Sequence, residues 1–129
     1  MERSRSGAVL VIALLTASIL AVPALAEVIR GTEEGDRLVG THRADKLLGR
    51  QGDDRLSGKA GADYLIGGSG ADKLFGGPGF DEMRGSSGAD VIGARDGSPD
   101  TIICGGGVDR VFVDEVEDGV FDCEEVIEP

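Results

Sequence analysis

Residues 67–75 read "GGSGADKLF", and residues 76–84 repeat the pattern as "GGPGFDEMR". Each copy has the form Gly-Gly-x-Gly-x-Asp, followed by a triplet with a large apolar residue in its middle. Glycine allows the positive φ that tight turns need, and a strand alternates its side chains between two faces. Each unit therefore predicts a six-residue turn followed by a very short strand with one inward side chain.

The pattern extends far beyond these two copies. Aspartates recur every nine residues at Asp36, Asp45, Asp54, Asp63, Asp72, Asp81 and Asp90. Apolar residues follow each of them two positions later, at Leu38, Leu47, Leu56, Leu65, Leu74, Met83 and Ile92. The frame slips by one residue between positions 94 and 103 and resumes at Asp100 and Asp109. A fixed period over about 80 residues predicts a solenoid, here with two repeats per coil.

Stacking the aspartates creates an electrostatic problem. With two repeats per coil, aspartates eighteen residues apart lie about 4.8 Å from each other on adjacent coils. Two carboxylates at that distance repel by roughly 3 kcal/mol at an effective dielectric of 20, so the ladder predicts bound cations. The alternative is a metal-free solenoid in which the aspartates are solvated turn residues.

The available ligands are carboxylate and carbonyl oxygens. The chain has one histidine, His42, and no paired-cysteine motif, which argues against a zinc site. Many oxygens in flexible turns suit Ca²⁺ better than Mg²⁺, which requires strict octahedral geometry. The spacing does not match an EF-hand loop.

The repeated unit between Gly31 and Phe112 resembles the RTX, or haemolysin-type, calcium-binding nonapeptide repeat. The resemblance implies an all-β, right-handed parallel β-roll in a bacterial protein, with several Ca²⁺ ions between the stacked turns. It implies metal ligands at Asp36, Asp45, Asp54, Asp63, Asp72, Asp81, Asp90, Asp100 and Asp109, with Asp54 to Asp90 the best of them. The turn glycines Gly67, Gly70, Gly76 and Gly79 would shape the turns and expose carbonyl ligands.

Several turns depart from the repeat. Thr32 and Thr41 replace its second residue, and Glu34 and Arg43 replace its second conserved glycine position, so the first two repeats are predicted to form a degenerate cap. Arg50 and Lys59 also replace glycine, which predicts tighter or less regular turns there. The extra residue before Asp100 makes that position the least regular of the expected ligands.

Residues 1–26 are predicted to be an export signal. Arg3 and Arg5 precede an apolar stretch from Gly7 to Val22, and "ALA" at residues 24–26 is a small-x-small cleavage site. We expect cleavage after Ala26 and secretion, with no membrane insertion afterwards. An uncleaved membrane anchor is the alternative, since the apolar stretch is nearly long enough to span a bilayer.

The composition argues against several functions. The net charge of −11 disfavours nucleic acid and anionic membranes as partners and suits cations. Every aspartate of the repeat has the same context, whereas acid–base catalysis needs carboxyls in different environments. No nucleophile motif is present, so we expect no enzymatic activity.

Residues 113–129 are predicted to cap the roll. Alternating valines, then Asp118-Gly119, then Val120-Phe121 suggest a β-hairpin that covers the open end. Cys104 and Cys123 would form a disulfide that ties this cap to the last coil; two free thiols are the alternative.

These observations predict a signal peptide (1–26), a calcium-binding β-roll (27–112) and a C-terminal cap (113–129). The expected function is that of a secreted protein whose turns bind Ca²⁺ and that folds on binding. The alternatives are an extracellular adhesion or matrix module in which calcium is only structural, and a detached regulatory or toxin-associated fragment. In the adhesion case, a protein or glycan of unknown identity would contact outward residues such as Tyr64, Ile66, Phe75 and Phe80.

Overall fold

The computed structural model describes residues 26–114 and 119–129, together with the backbone of residues 9–12. Every regular element in these ranges is a strand: β1 (Val9–Ile12), β2 (Val28–Arg30), β3 (Asp36–Val39), β4 (Lys46–Leu48), β5 (Arg55–Ser57), β6 (Tyr64–Ser69), β7 (Lys73–Phe75), β8 (Glu82–Ser87), β9 (Val91–Ala94), β10 (Thr101–Gly106), β11 (Arg110–Val113), β12 (Gly119–Phe121) and β13 (Glu125–Ile127). These ranges contain no helix of the length and apolarity needed to cross a membrane.

The strands form two parallel sheets. The odd-numbered strands, β1 to β13, make a seven-stranded sheet, and the even-numbered strands, β2 to β12, make a six-stranded sheet. Each coil thus contributes one strand to each sheet, and from β2 to β9 the paired residues are eighteen apart, as in Leu56 with Leu74. The predicted parallel β-solenoid with two repeats per coil is confirmed.

The core is a single file of apolar side chains between the two sheets. Each short strand directs its middle residue inward, as the alternation predicts. The fully buried apolar side chains of the strand centres are Leu38, Leu47, Leu56, Leu65, Leu74, Met83, Ile92, Ile102 and Val111. One such residue per repeat makes a thin apolar core, so interactions between the stacked turns must also contribute to the stability of the roll.

The frame slip is absorbed within one turn. The turn before Asp100 has seven residues, 94–100, and its flanking strands keep their parallel pairing, with Ile102 opposite Met83. In the two strand pairs that span this turn, β8 with β10 and β9 with β11, partners are therefore nineteen residues apart, and Asp100 still lies over Asp81. The extra residue changes the turn and leaves the ladder continuous.

The predicted C-terminal hairpin is wrong. β12 pairs in parallel with β10, and β13 pairs in parallel with β11, so the chain adds one more coil instead of folding back on itself. Val116 and Asp118, on which the hairpin prediction rested, lie outside the described residues. A short alternating strand fits a parallel and an antiparallel neighbour equally well, and here the preceding coil already offers parallel edges.

The predicted disulfide between Cys104 and Cys123 is present, with a Cα–Cα distance of 5.1 Å. Cys104 is fully buried within β10, and Cys123 lies between β12 and β13. The bond therefore fastens the last coil to the one before it.

Reduction of this bond is expected to loosen the last coil. A closed loop of this size contributes about 3 kcal/mol in the chain-entropy model, and the loop that the bond closes contains the last coil. We expect no labelled thiols in the denatured, unreduced protein, and faster proteolysis after β11 once the bond is reduced. Two labelled thiols per chain before reduction would contradict the bond.

One strand falls within the predicted signal peptide. β1 pairs in parallel with β3, with Val11 opposite Leu38. The remainder of the predicted signal lies outside the described residues, except Ala26 at its end. Cleavage after Ala26 would remove β1 and leave β3 as the edge of its sheet.

Candidate metal centre

The repeat aspartates form two ladders, one along each edge of the roll. Each sits where a turn enters a strand, and in all but the first aspartate of each edge, Asp36 and Asp45, Oδ1 accepts a hydrogen bond from the backbone N–H of the aspartate one coil earlier. On one edge the bonds from Asp36 to Asp54 and from Asp54 to Asp72 are both 2.8 Å. The other bonds of this kind are Asp72–Asp90, Asp45–Asp63, Asp63–Asp81, Asp81–Asp100 and Asp90–Asp109. The structure thus brings together all nine predicted ligands in two continuous stacks.

The second carboxylate oxygen, Oδ2, lacks a hydrogen-bond partner in most of these aspartates. It is buried and has no hydrogen-bond partner in Asp54, Asp63, Asp72, Asp81, Asp90 and Asp109. Their side chains are almost inaccessible; Asp72, for example, is 1% exposed. A buried anionic oxygen without a donor is strongly unfavourable, so each of these turns needs a cation or a proton.

The first two turns solve the same problem with threonine. The Oδ2 of Asp45 accepts hydrogen bonds from the N–H of Thr41 at 2.6 Å and from its hydroxyl at 2.9 Å. Thr32 contacts Asp36 in the same way through its N–H and its hydroxyl. In these two turns the Oδ2 of the aspartate already has hydrogen-bond donors, which distinguishes the predicted degenerate cap from the later turns.

The conserved glycines are required by close approach. A Cβ at Gly67 would lie 2.5 Å from the Oδ2 of Asp72, and one at Gly76 would overlap that of Asp81. Gly70 and Gly79 have φ of 113° and 125°, and a Cβ on either would overlap a carbonyl oxygen of the preceding coil. Glycine here keeps the turns flat enough to stack.

The turns that contain Arg50 and Lys59 were expected to be tighter or less regular, and their backbone follows that of the glycine turns. Their φ angles of 79° and 77° match those of Gly68 and Gly77 at the same turn position, 95° and 86°. These turns therefore keep the left-handed geometry of the regular repeat, although a side chain in that region is disfavoured by roughly 1–2 kcal/mol.

Two carboxylates that the nine-residue rule did not predict also join the ladders. The N–H of Asp109 bonds Oε2 of Glu124 at 3.1 Å, so a glutamate ends one ladder. Asp96, in the seven-residue turn, lies beside Asp81 and Asp100. The only available signals were the irregular spacing after Asp109 and the extra residue in the slipped repeat.

Burial is the largest influence on the pKa values of the ladder aspartates. It raises the pKa of Asp54, Asp63, Asp72, Asp81 and Asp90 to about 7. The hydrogen bond from the preceding coil lowers each pKa, and neighbouring carboxylates raise it again. The metal-free ladder therefore resists full ionisation at neutral pH.

Acid is expected to stabilise the metal-free protein. These carboxyls have an ordinary pKa of 3.8 in the unfolded chain and about 7 in the folded one, so folding takes up protons between those values. Their contribution to stability is thus complete below pH 3.8 and is lost as the pH rises through about 7. Circular dichroism after calcium removal on a chelating resin should show more strand at about pH 5 than at about pH 8. More strand at the higher pH would contradict the raised pKa values.

Three aromatic residues that were predicted to point outward, Tyr64, Phe75 and Phe80, differ in their surroundings. Tyr64 stacks beneath Lys46 and Arg84, at 5.3 and 5.6 Å from its ring centroid. Phe75 is 43% exposed and borders a groove, and Phe80, at a turn, is 70% exposed. Phe75 and Phe80 therefore lie on the outer surface.

The potential metal ligands along the ladders are all oxygen atoms. From Asp54 onwards, Oδ2 atoms without a hydrogen-bond partner recur from turn to turn, at the spacing of the coils. This donor set fits Ca²⁺, which takes six to eight oxygens in flexible geometry. The fold and the ladder together define a parallel β-solenoid with periodic acidic turns.

Among protein families, residues 30–65 and 66–99 match the RTX calcium-binding nonapeptide repeat, described as four copies. The match covers more than half of the chain, which therefore belongs to this family of calcium-binding repeats. No curated protein matches the chain. No solved structure matches it.

Proposed function

We propose that this chain is a secreted calcium-binding protein whose stacked turns bind several Ca²⁺ ions and that folds on binding them. The observation that carries the proposal is the contrast between two kinds of turn. Where threonine donates to Oδ2, the turn needs no ion; where no donor is present, the same oxygen is buried and unpaired. A calcium ion between adjacent coils would neutralise the negative charge of the stacked carboxylates.

The proposed ligands are the aspartates from Asp54 to Asp109, with turn carbonyls completing the shell. Asp36 and Asp45 are assigned a smaller part, because their Oδ2 atoms are already hydrogen-bonded. Calcium would supply positive charge between stacked carboxylates, and the chain would supply the spacing and the dry turn interior.

Folding should depend on the ion because the apolar core is thin. Without cations, the repulsion and the unpaired oxygens act at nearly every coil, whereas one inward side chain per repeat contributes only about 1.5–3 kcal/mol. Metal binding then supplies a large part of the folding free energy.

A calcium titration of the purified protein at neutral pH tests this function. Far-ultraviolet circular dichroism should change from a largely disordered spectrum to a strand spectrum, with a midpoint at about 10⁻⁴–10⁻³ M, as is common for extracellular sites. Mg²⁺ at the same concentration should have much less effect, which controls for general screening of charge. A spectrum that does not respond to calcium would end the proposal.

Export is the second part of the proposal. It is supported by the disulfide, which is typical of oxidising compartments, and by the cleavage pattern at residues 24–26. Mass spectrometry of the protein recovered outside the cell should give a chain beginning at Glu27. A chain that retains residues 1–26 and stays with the membrane would support the anchor alternative.

A further inference from the structure

The seven-residue turn builds a cluster that the regular turns lack. It lies directly over the turn of residues 76–81: the N–H of Gly79 donates to Oγ of Ser98 at 3.1 Å, and the N–H of Asp81 donates to Oδ1 of Asp100 at 2.8 Å. The extra residue brings Asp96 beside this ladder step, so that one carboxylate oxygen from each of Asp81, Asp96 and Asp100 lies within 4.8 Å of the others. Within residues 26–114 and 119–129, no other three acidic, histidine or cysteine side chains converge in this way.

The most deeply enclosed evidence for a ligand is at Asp81, whose Oδ2 has no donor. Asp81 is 3% exposed; its Oδ1 accepts the N–H of Asp63 at 2.7 Å, and its Oδ2 is buried without a hydrogen-bond partner. This oxygen is a second observation that favours a cation here, besides the convergence of the three side chains, since the neighbouring carboxylates cannot donate to it when ionised.

The neighbouring basic residue does not neutralise the cluster. Arg95 precedes Asp96 in the chain, but its Nε donates to the carbonyl of Val113 at 2.9 Å and its Nη2 to that of Glu128 at 2.9 Å. The guanidinium is therefore committed to the last coils.

Asp96 is held in place by its own turn. Its Oδ1 accepts the N–H of Ser98 at 3.0 Å, and the following N–H, of Gly97, donates to Oδ2 of Asp114 at 2.7 Å. A turn closed in this way presents the side chain to the ladder with little freedom left to lose on binding.

We propose that Asp81, Asp96 and Asp100 form a three-carboxylate Ca²⁺ site that binds more tightly than the two-carboxylate steps and fills first. The inference rests on the proposed function, since it ranks one site among several. Affinity of oxygen sites for calcium rises with the number of charged ligands and with their rigidity. The first ion would then join the coils on either side of the irregular turn, at the point where the repeat is interrupted.

Calcium binding is measured by competition with a chromophoric chelator, on the wild-type protein and two variants. The wild type should bind one ion at least about tenfold more tightly than the others. Asp96→Asn keeps an oxygen for the N–H of Ser98 but removes the charge, and it should lose the tight ion while retaining the weaker ones. Asp53→Asn is the matched control, because Asp53 is an exposed turn residue whose Oδ1 accepts the N–H of Ala71 at 2.8 Å. It should keep the tight ion.

The outcomes separate the two proposals. Uniform affinities in the wild type, or equal losses in both variants, would overturn the three-carboxylate site while leaving calcium binding intact. No calcium binding by the wild type would instead remove the proposed function.

Amide hydrogen exchange tests the order of filling on the wild-type protein alone. With one equivalent of Ca²⁺, the amides of Gly79 and Asp81 should be protected before that of Asp54, which bonds Asp72 in a regular step. Earlier or simultaneous protection of Asp54 would refute the order of filling.

Discussion

Asp72→Asn is expected to weaken the calcium response and, at the same time, to stabilise the metal-free fold. The amide keeps an oxygen that can accept the N–H of Asp54, so the ladder bond survives. It removes the buried charge that has no donor, which relieves the metal-free state. It also removes an anionic ligand shared by two steps, so we expect the calcium midpoint to rise by about tenfold or more, equivalent to about 1.4 kcal/mol or more.

Asp36→Asn is the matched control at the end of the same ladder. Its Oδ2 is already satisfied by Thr32, so calcium has little to add there. We expect a shift in the calcium midpoint of less than about threefold, together with some fraying of the first coil. Equal shifts in the two variants, measured by circular dichroism under the same conditions, would mean that Asp72 and Asp36 do not differ in their need for a cation.

Gly77→Ala is expected to cause a larger loss of stability than any of the aspartate substitutions. Gly77 has a φ of 86°, and a Cβ would overlap the carbonyl oxygen of Lys59 in the preceding coil. No rotamer can relieve a clash of Cβ with backbone, so the coils must separate beside the bond from Gly58 N–H to Phe75 O. At saturating calcium we expect a loss of about 3 kcal/mol or more in chemical denaturation.

Gly97→Ala isolates the conformational part of that effect. Gly97 has nearly the same φ, 85°, but a Cβ there would meet nothing within 4 Å. The expected loss is only the cost of a side chain in the left-handed region, about 1–2 kcal/mol. If the two variants lost equal stability, close stacking of the turns would not be the reason for glycine.

The nine-residue period was sufficient to predict the solenoid, the inward residues and the stacked aspartates. These features repeat, so each copy of the motif constrains the others, and Leu74 or Asp72 could be placed from its phase alone. The disulfide was predictable because a chain with a predicted export signal and only two cysteines has one simple pairing.

The period did not predict which aspartate Oδ2 atoms have a hydrogen-bond donor. Thr32 and Thr41 were recognised as departures from the repeat, but the bonds from their N–H and hydroxyl groups to Oδ2 depend on the turn backbone. Likewise, an inserted residue does not reveal whether it disrupts the stack or, as Asp96 does, enters it.

The last coil shows the limit of local patterns. The segment around Val120 has the alternation of a hairpin strand, yet it pairs in parallel with β10. The parallel pairing uses the free edge left by the preceding coil, and the Cys104–Cys123 bond joins the same two coils; neither is encoded in the strand itself.

The most direct test of calcium binding by the ladders is to locate the ions. Crystals grown with calcium and measured with long-wavelength X-rays give anomalous peaks at bound Ca²⁺. We expect peaks between adjacent coils along both ladders, beside Oδ2 of Asp54, Asp63, Asp72, Asp81 and Asp90, and none in the turns closed by Thr32 and Thr41. Ladders without peaks, or ions confined to the two threonine turns, would contradict the proposed function.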